Sequence, residues 1–222
     1  MAHPANLSSR LDHHAGFHFS LATAVAYTRP VGCTGPHIAY ALPRGVFVDP
    51  YELDLRAHEY TYDLRAPPDL EKPLSAVDDG EPSLQVHVAP ALVGDRGELR
   101  VEVPLHARYG YPSNQPRDEA YSIIRMAPPT AFWRCGESGM SPRCYLSSDL
   151  LMTLPGETLL PLELSLPAAD LPMYVPIGVV DDLEMVESGT ALAVLAAFAY
   201  LAFVFYTVHR RLVNRLYASK EE

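Results

Sequence analysis

The sequence predicts a mainly β protein, an antiparallel β-sandwich followed by a single transmembrane α-helix. Three observations predict it. Apolar and polar residues alternate with a period of two in several short segments, the pattern of a strand with one buried and one wet face. Proline supplies 21 of the 222 residues, about twice the average share. It fits neither helix interiors nor central strands, so this abundance suits loop-rich β structure and not a helical bundle. Finally, residues 190–208 read TALAVLAAFAYLAFVFYTV, with no charged residue, glycine or proline.

The expected strands follow in chain order. Residues 17–21, 38–42, 46–48, 60–64 and 84–88 are short candidates. The clearest is 99–109, LRVEVPLHARY, in which Leu99, Val101, Val103, Leu105, Ala107 and Tyr109 share one face. Arg100, Glu102, His106 and Arg108 share the other, where Pro104 points to an edge position or a bulge. Residues 121–126 and 160–166 complete the set. Segments 66–73, 78–82, 112–119 and 136–142 are rich in proline, glycine and polar residues and read as loops. Seven or eight short strands so separated make a sandwich.

The apolar run is the anchor. Nineteen residues at about 1.5 Å each span roughly 28 Å, the thickness of a thin hydrocarbon core such as that of the endoplasmic reticulum. A buried core helix rarely runs that far without a polar face. The expected organisation is therefore a β-rich domain over 1–187, a transmembrane helix over 188–208 and a basic tail over 209–222. Arg210, Arg211, Arg215 and Lys220 follow the helix, whereas residues 181–188 contain no Lys or Arg. Positive charge stays cytosolic, so the large domain is expected in the lumen or at the exterior and the C-terminus in the cytosol. The first fourteen residues lack the apolar core of a signal peptide. That leaves a tail-anchored chain with a cytosolic domain as the alternative, and a luminal domain would imply a start further upstream or atypical targeting. The triplet Asn6-Leu7-Ser8 is a candidate glycosylation site.

Chemistry is sparse. A net charge of −10 without a basic stripe argues against nucleic acid. No phosphate-binding, nucleophile-elbow or zinc-protease motif occurs, so no cofactor and no catalytic residue is assigned. His13, His14 and His18 cluster in sequence but read as solvated side chains of a flexible N-terminal segment. Asp181, Asp182 and Glu184 read as a solvated stem before the membrane. Cys135 and Cys144 lie nine residues apart and are a candidate disulfide in an oxidising compartment, with free thiols as the alternative. In the helix, Gly189, Ala193 and Ala197 recur every four residues, a spacing that lets a second helix approach closely. Residues 42–53, LPRGVFVDPYEL, read as a structured turn that presents Tyr51 and Leu53 beside Glu52.

That segment, with the later VEVPLHARYGYPS and with MYVPIG just before the helix, resembles the PIG-X family. Gly45 through Leu53 match a Gly-x-(F/Y)-x-DPYEL pattern. Pro104 through Tyr109 match a Pro-x-His-x-Arg-Tyr strand, and Phe132 through Cys135 match an aromatic–cysteine segment. Val175 through Gly178 and Gly16-Phe17-His18 match two further elements, in the family's order. The resemblance implies a non-catalytic subunit of the endoplasmic reticulum enzyme that transfers the first mannose from dolichol-phosphate-mannose to the glycosylphosphatidylinositol (GPI) precursor. Its implied partner is a multi-pass catalytic mannosyltransferase of PIG-M type, met in the lipid bilayer. The residues expected to meet that partner are Asp49, Pro50, Tyr51, Glu52 and Leu53, His106, Arg108 and Tyr109, and Gly189, Ala193 and Ala197. A luminal cargo receptor or chaperone with one anchor is the alternative, although LYASKEE carries no dilysine or diphenylalanine sorting signal. A membrane-tethered hydrolase would need a triad or carboxylate pair converging in one pocket.

Overall fold

The computed structural model describes residues 6–66, 69–77, 82–88, 93–135, 158–162 and 169–218. The chain divides into two compact units, 1–111 with 120–177, and 112–119 with 178–222.

The first unit is built from antiparallel sheets. Strands β1 (Asn6–Leu11), β2 (His18–Thr28), β7 (Arg96–Ala107) and β4 (Val46–Phe47) form a four-stranded sheet in that order. A five-stranded sheet runs β10 (Thr158–Pro161), β9 (Thr130–Cys135), β3 (Cys33–Ala41), β6 (Ser83–Val88) and β5 (Tyr60–Arg65). Strands β8 (Tyr121–Met126) and β11 (Leu171–Pro176) make a separate ribbon. The sandwich is as the sequence predicts, and the period-two pattern of 99–109 holds as far as Ala107; there β7 ends, and beyond it Arg108 is buried and Tyr109 exposed, the reverse of the faces expected for them.

Alternation fixes the register of each strand, because a slip of one residue would turn the apolar set outward. Leu21 and Val25 of β2, Val103 and Leu105 of β7, Ile38 and Tyr40 of β3, and Leu84 and Val86 of β6 are all completely buried in one core. Each such side chain contributes about 1.5–3 kcal/mol relative to exposure. Two phenols tie the sheets across that core. Tyr40 donates to Thr23 Oγ1 at 3.1 Å, and Tyr60 donates to the Glu102 carbonyl at 3.1 Å. Burial raises both phenol pKa values, that of Tyr60 to about 12.

Pro104 sits where the sequence expects an open flank. Strand β7 pairs with β2 from Arg96 to His106, but with β4 only at His106 and Ala107. No ladder bond on the β4 side is lost at residue 104.

Several elements differ from expectation. The N-terminal segment is not loose: β1 pairs along its whole length with β2, burying Leu7 and Leu11. Its six residues contain two serines, an asparagine and an arginine, so propensity hides a strand that β2 imposes by pairing. Strands β9 and β11 were also not expected, because TAFWRC is apolar on both faces and LPMYVP carries two prolines. The strand expected over 160–166 is four residues, β10, and residues 163–168 lie outside those described.

The cysteine pairing is corrected. Cys135 is bonded to Cys33, with an S–S distance of 2.01 Å, and not to Cys144, which lies outside the described residues. Proximity in sequence favoured the short loop, whereas β3 and β9 are neighbours whose register sets Cys33 opposite Cys135.

In the second unit, residues 112–119 are tied to the start of the helical stem. Ser113 N–H donates to the Gly178 carbonyl at 2.8 Å, Val180 N–H donates to the Ser113 carbonyl at 3.0 Å, and Arg117 pairs with Asp182 at 2.6 Å. Asp182 is thus engaged in an ion pair. Helix α2 spans Leu183–Ala218, 36 residues, or about 54 Å. It extends beyond both ends of the expected 188–208 span, and its continuation through Ala218 makes most of the expected tail helical. Among the described residues it is the one helix long and apolar enough to cross a membrane.

Candidate partner-contact surface

The segment GVFVDPYEL begins with a close approach. A Cβ on Gly45 would lie 2.6 Å from Ile124 Cδ1, so the chain passes β8 where only glycine fits without displacing that side chain. Val46 and Val48 then point into the core while Phe47 stays on the outer face. Asp49, in an extended conformation, caps the helix that follows, α1 (Pro50–Asp54), by accepting from Tyr51 N–H at 2.9 Å. Pro50 occupies the first turn, where its missing N–H costs nothing. Leu53 is completely buried. Tyr62 of β5 holds the helix from outside, donating to Asp54 Oδ1 at 2.9 Å and reaching the Pro50 carbonyl at 3.3 Å.

The second expected segment, PLHARY, lies alongside. Phe47 and His106 are register partners in β4 and β7, and their rings stack at 5.2 Å. His106 Nε2 is 2.9 Å from Glu52 Oε2, and His18 meets the His106 ring edge-on at 4.8 Å. Arg108 packs its guanidinium over Phe47 at 4.6 Å from the ring centroid. Its two terminal nitrogens donate to the carbonyls of Lys72 and Asp69, the latter at 2.8 Å. Burial lowers the Arg108 pKa from its ordinary value, opposed by Asp69. The structure therefore brings the two segments together.

It also sorts them. Asp49 and Pro50 are spent on the helix start, Leu53 on the core, Glu52 and His106 on each other, and Arg108 on the strap at 69–72. Tyr51 remains exposed, at 76%, and so does Tyr109, at 54%, its ring stacked on Phe17. The sequence reading missed Leu55, which is equally open and lies one helical turn from Tyr51; that four-residue spacing was the available signal. Also missed were Ile123 and Tyr174, which face each other across the β8–β11 ribbon and are both exposed. Gly189, Ala193 and Ala197 lie on α2 and are exposed. Asn6 opens β1, also exposed.

The three N-terminal histidines diverge to separate partners. His13 stacks on Phe19, His14 lies 3.4 Å from the Pro172 carbonyl and His18 packs on His106. Among the described residues no group of three or more His, Cys, Asp or Glu side chains is arranged to hold a metal.

One array looks catalytic at first sight. On the outer face of the five-stranded sheet, Asp63 Oδ2 is 2.6 Å from His87 Nε2, and His87 Nδ1 makes a short hydrogen bond with His37 Nδ1. Thr34 Oγ1 lies 3.4 Å from His37 Nε2. The Thr34 hydroxyl, however, donates to the Arg134 carbonyl at 3.2 Å, so its proton is used in the fold. Burial, then the charge of His87, holds the His37 pKa down at about 3, too low for a general base at neutral pH. The array braces β3, β5 and β6.

The sequence model of the family described as PIG-X / PBN1 matches residues 14–206. The chain belongs to the PIG-X / PBN1 family. A Gibberella zeae protein named Protein PBN1 is 31% identical over 195 residues, covering 80% of this chain and 38% of its own length. A Neurospora crassa protein named Protein pbn1 is 26% identical over 202 residues, covering 78% of this chain and 37% of its own length. The chain thus spans well under half the length of the curated relatives it matches. The family match includes both motif segments, the Cys33–Cys135 pair and most of the apolar part of α2.

Proposed function

We propose that this chain is a non-catalytic, stabilising subunit of the endoplasmic reticulum mannosyltransferase that adds the first mannose to the GPI precursor, taking it from dolichol-phosphate-mannose. The observation that carries this reading is the family match, which runs unbroken from the segment before β2 to Tyr206 in α2. It couples a β domain and an apolar helix as one inherited unit. In this reading the helix crosses the membrane once, with the β domain luminal and the basic end cytosolic, as the distribution of arginines around it favours.

The motif residues support a binding role over a catalytic one. Asp49, Glu52, Leu53, His106 and Arg108 are consumed in the fold, which leaves Tyr51, Leu55 and Tyr109 exposed. These three, with the small-residue face of α2 at Gly189, Ala193 and Ala197, are the contacts we assign to a multi-pass partner.

The test is affinity purification of the full chain in mild detergent. A multi-pass mannosyltransferase is expected in near-equal amount, and Gly189→Leu or Ala193→Leu, each adding bulk to the packing face, is expected to reduce it. Recovery of only coat proteins and diverse cargo would refute the subunit reading.

A further inference from the structure

We infer that Asn6 carries an N-linked glycan on the outer face of strand β1; this rests on the luminal reading of the β domain. Asparagine occurs at positions 6, 114 and 214, and Asn6-Leu7-Ser8 alone has the acceptor pattern, since Asn114 is followed by Gln-Pro and Asn214 by Arg-Leu. The fold treats the three residues of this triplet differently. Leu7 is buried in the core, whereas Asn6 and Ser8 are exposed on the opposite face. The amide that would be modified and the hydroxyl that the acceptor pattern requires thus project together into open space.

The surroundings leave room for a sugar. Strand β1 is the outer strand of its sheet, so among the described residues one flank has no neighbouring strand. Two residues along β1 from Asn6, Ser8 lines a surface depression together with Arg10, Ala22, Ala24, Glu98 and Arg100. Alternate residues of β2 are alanine at 22, 24 and 26, with Ala26 directly opposite Asn6 in register. No bulky side chain of β2 rises against a sugar attached there. A glycan at this point also shields an exposed strand edge from pairing with another chain.

The transfer balances with a lipid-diphosphate-linked oligosaccharide as donor. The Asn6 side-chain nitrogen bonds to the anomeric carbon of the first sugar. The bond from that carbon to the phosphate oxygen breaks, its electron pair leaves with the lipid diphosphate, and the amide proton passes to a base of the transferase.

The experiment uses the full chain expressed in a yeast host, read by gel mobility with and without endoglycosidase. The native chain is expected to carry one glycan, lost in Asn6→Gln and equally in Ser8→Ala, which leaves the asparagine in place. Gly32→Asn supplies the topology control, because it creates an acceptor triplet with Cys33 and Thr34. Gly32 has φ +79 and open space around it, a conformation asparagine tolerates. A glycan on Gly32→Asn with none on the native chain overturns the Asn6 assignment and keeps the luminal reading. No glycan on either overturns both, and a glycan that survives Asn6→Gln and Ser8→Ala also overturns the assignment.

Discussion

The Arg108 guanidinium lies 4.6 Å over the ring of Phe47, and this contact joins two of the sequence segments that carry the family resemblance. One face of the guanidinium covers the ring while its terminal nitrogens hold the carbonyls of Lys72 and Asp69. Lysine has neither the planar face nor the fork. Arg108→Lys is expected to destabilise the β domain by about 1.5–3 kcal/mol, the range for hydrogen bonds to a charged group. Thermal unfolding of the full chain in detergent checks it, and an unchanged midpoint would remove Arg108 from the scaffold.

The cross-link between Cys33 and Cys135 closes a separation of 102 residues. A loop of that length restricts the unfolded chain strongly, and its loss costs roughly 2–5 kcal/mol. Cys33→Ser and Cys135→Ser are expected to lower stability alike, whereas Cys144→Ser leaves the cross-link intact. Peptide mapping without reduction gives the same answer directly, as a fragment joining residue 33 to residue 135.

Gly45 makes a sharper packing prediction. Its added Cβ would clash only with Ile124 Cδ1, at 2.6 Å, with Leu74 Cδ1 in ordinary contact at 3.9 Å, and the Ile124 side chain is able to give way in part. Gly45→Ala is expected to cost about 1 kcal/mol, at the low end of overpacking. Ile124→Val removes the obstructing methyl, so the double variant should recover much of the loss. Additive losses in the double variant would mean that Gly45 is needed for backbone reasons instead.

Acid should weaken the fold through His37. Its native pKa is depressed to about 3, chiefly by burial and secondly by the charge of His87. Below the ordinary value of 6.5 the unfolded chain binds a proton that the native chain refuses. Stability contributed by neutral His37 is therefore complete above about 6.5 and falls progressively as pH drops from there toward 3. Unfolding midpoints between pH 7 and 4 should decline, and His37→Phe, which can still stack on Phe132, should flatten that decline.

Legibility in the sequence followed the physics of each element. Strand β7 was plain because Leu99 through Ala107 alternate without interruption, and the apolar helix was plain because nothing polar breaks it. Strand β1 was hidden because Ser8, Ser9 and Arg10 have no strand preference of their own and take their form from β2. The disulfide was misassigned because sheet neighbours distant in sequence leave no local mark. The motif corner was half legible. Asp49-Pro50 announces a capped helix start, but that Glu52 would bind His106, and Leu53 enter the core, depends on tertiary pairing of β4 with β7. Exposure then selected Tyr51, Leu55 and Tyr109; helical spacing pairs Leu55 with Tyr51, but nothing local marks Tyr109 as open.

The stabilising role is tested most directly by the level of the multi-pass mannosyltransferase in cells lacking this chain, measured together with mannose transfer to the GPI precursor. The account predicts that both fall and that both return when the full chain is restored. An unchanged enzyme level with unchanged mannose transfer would contradict it.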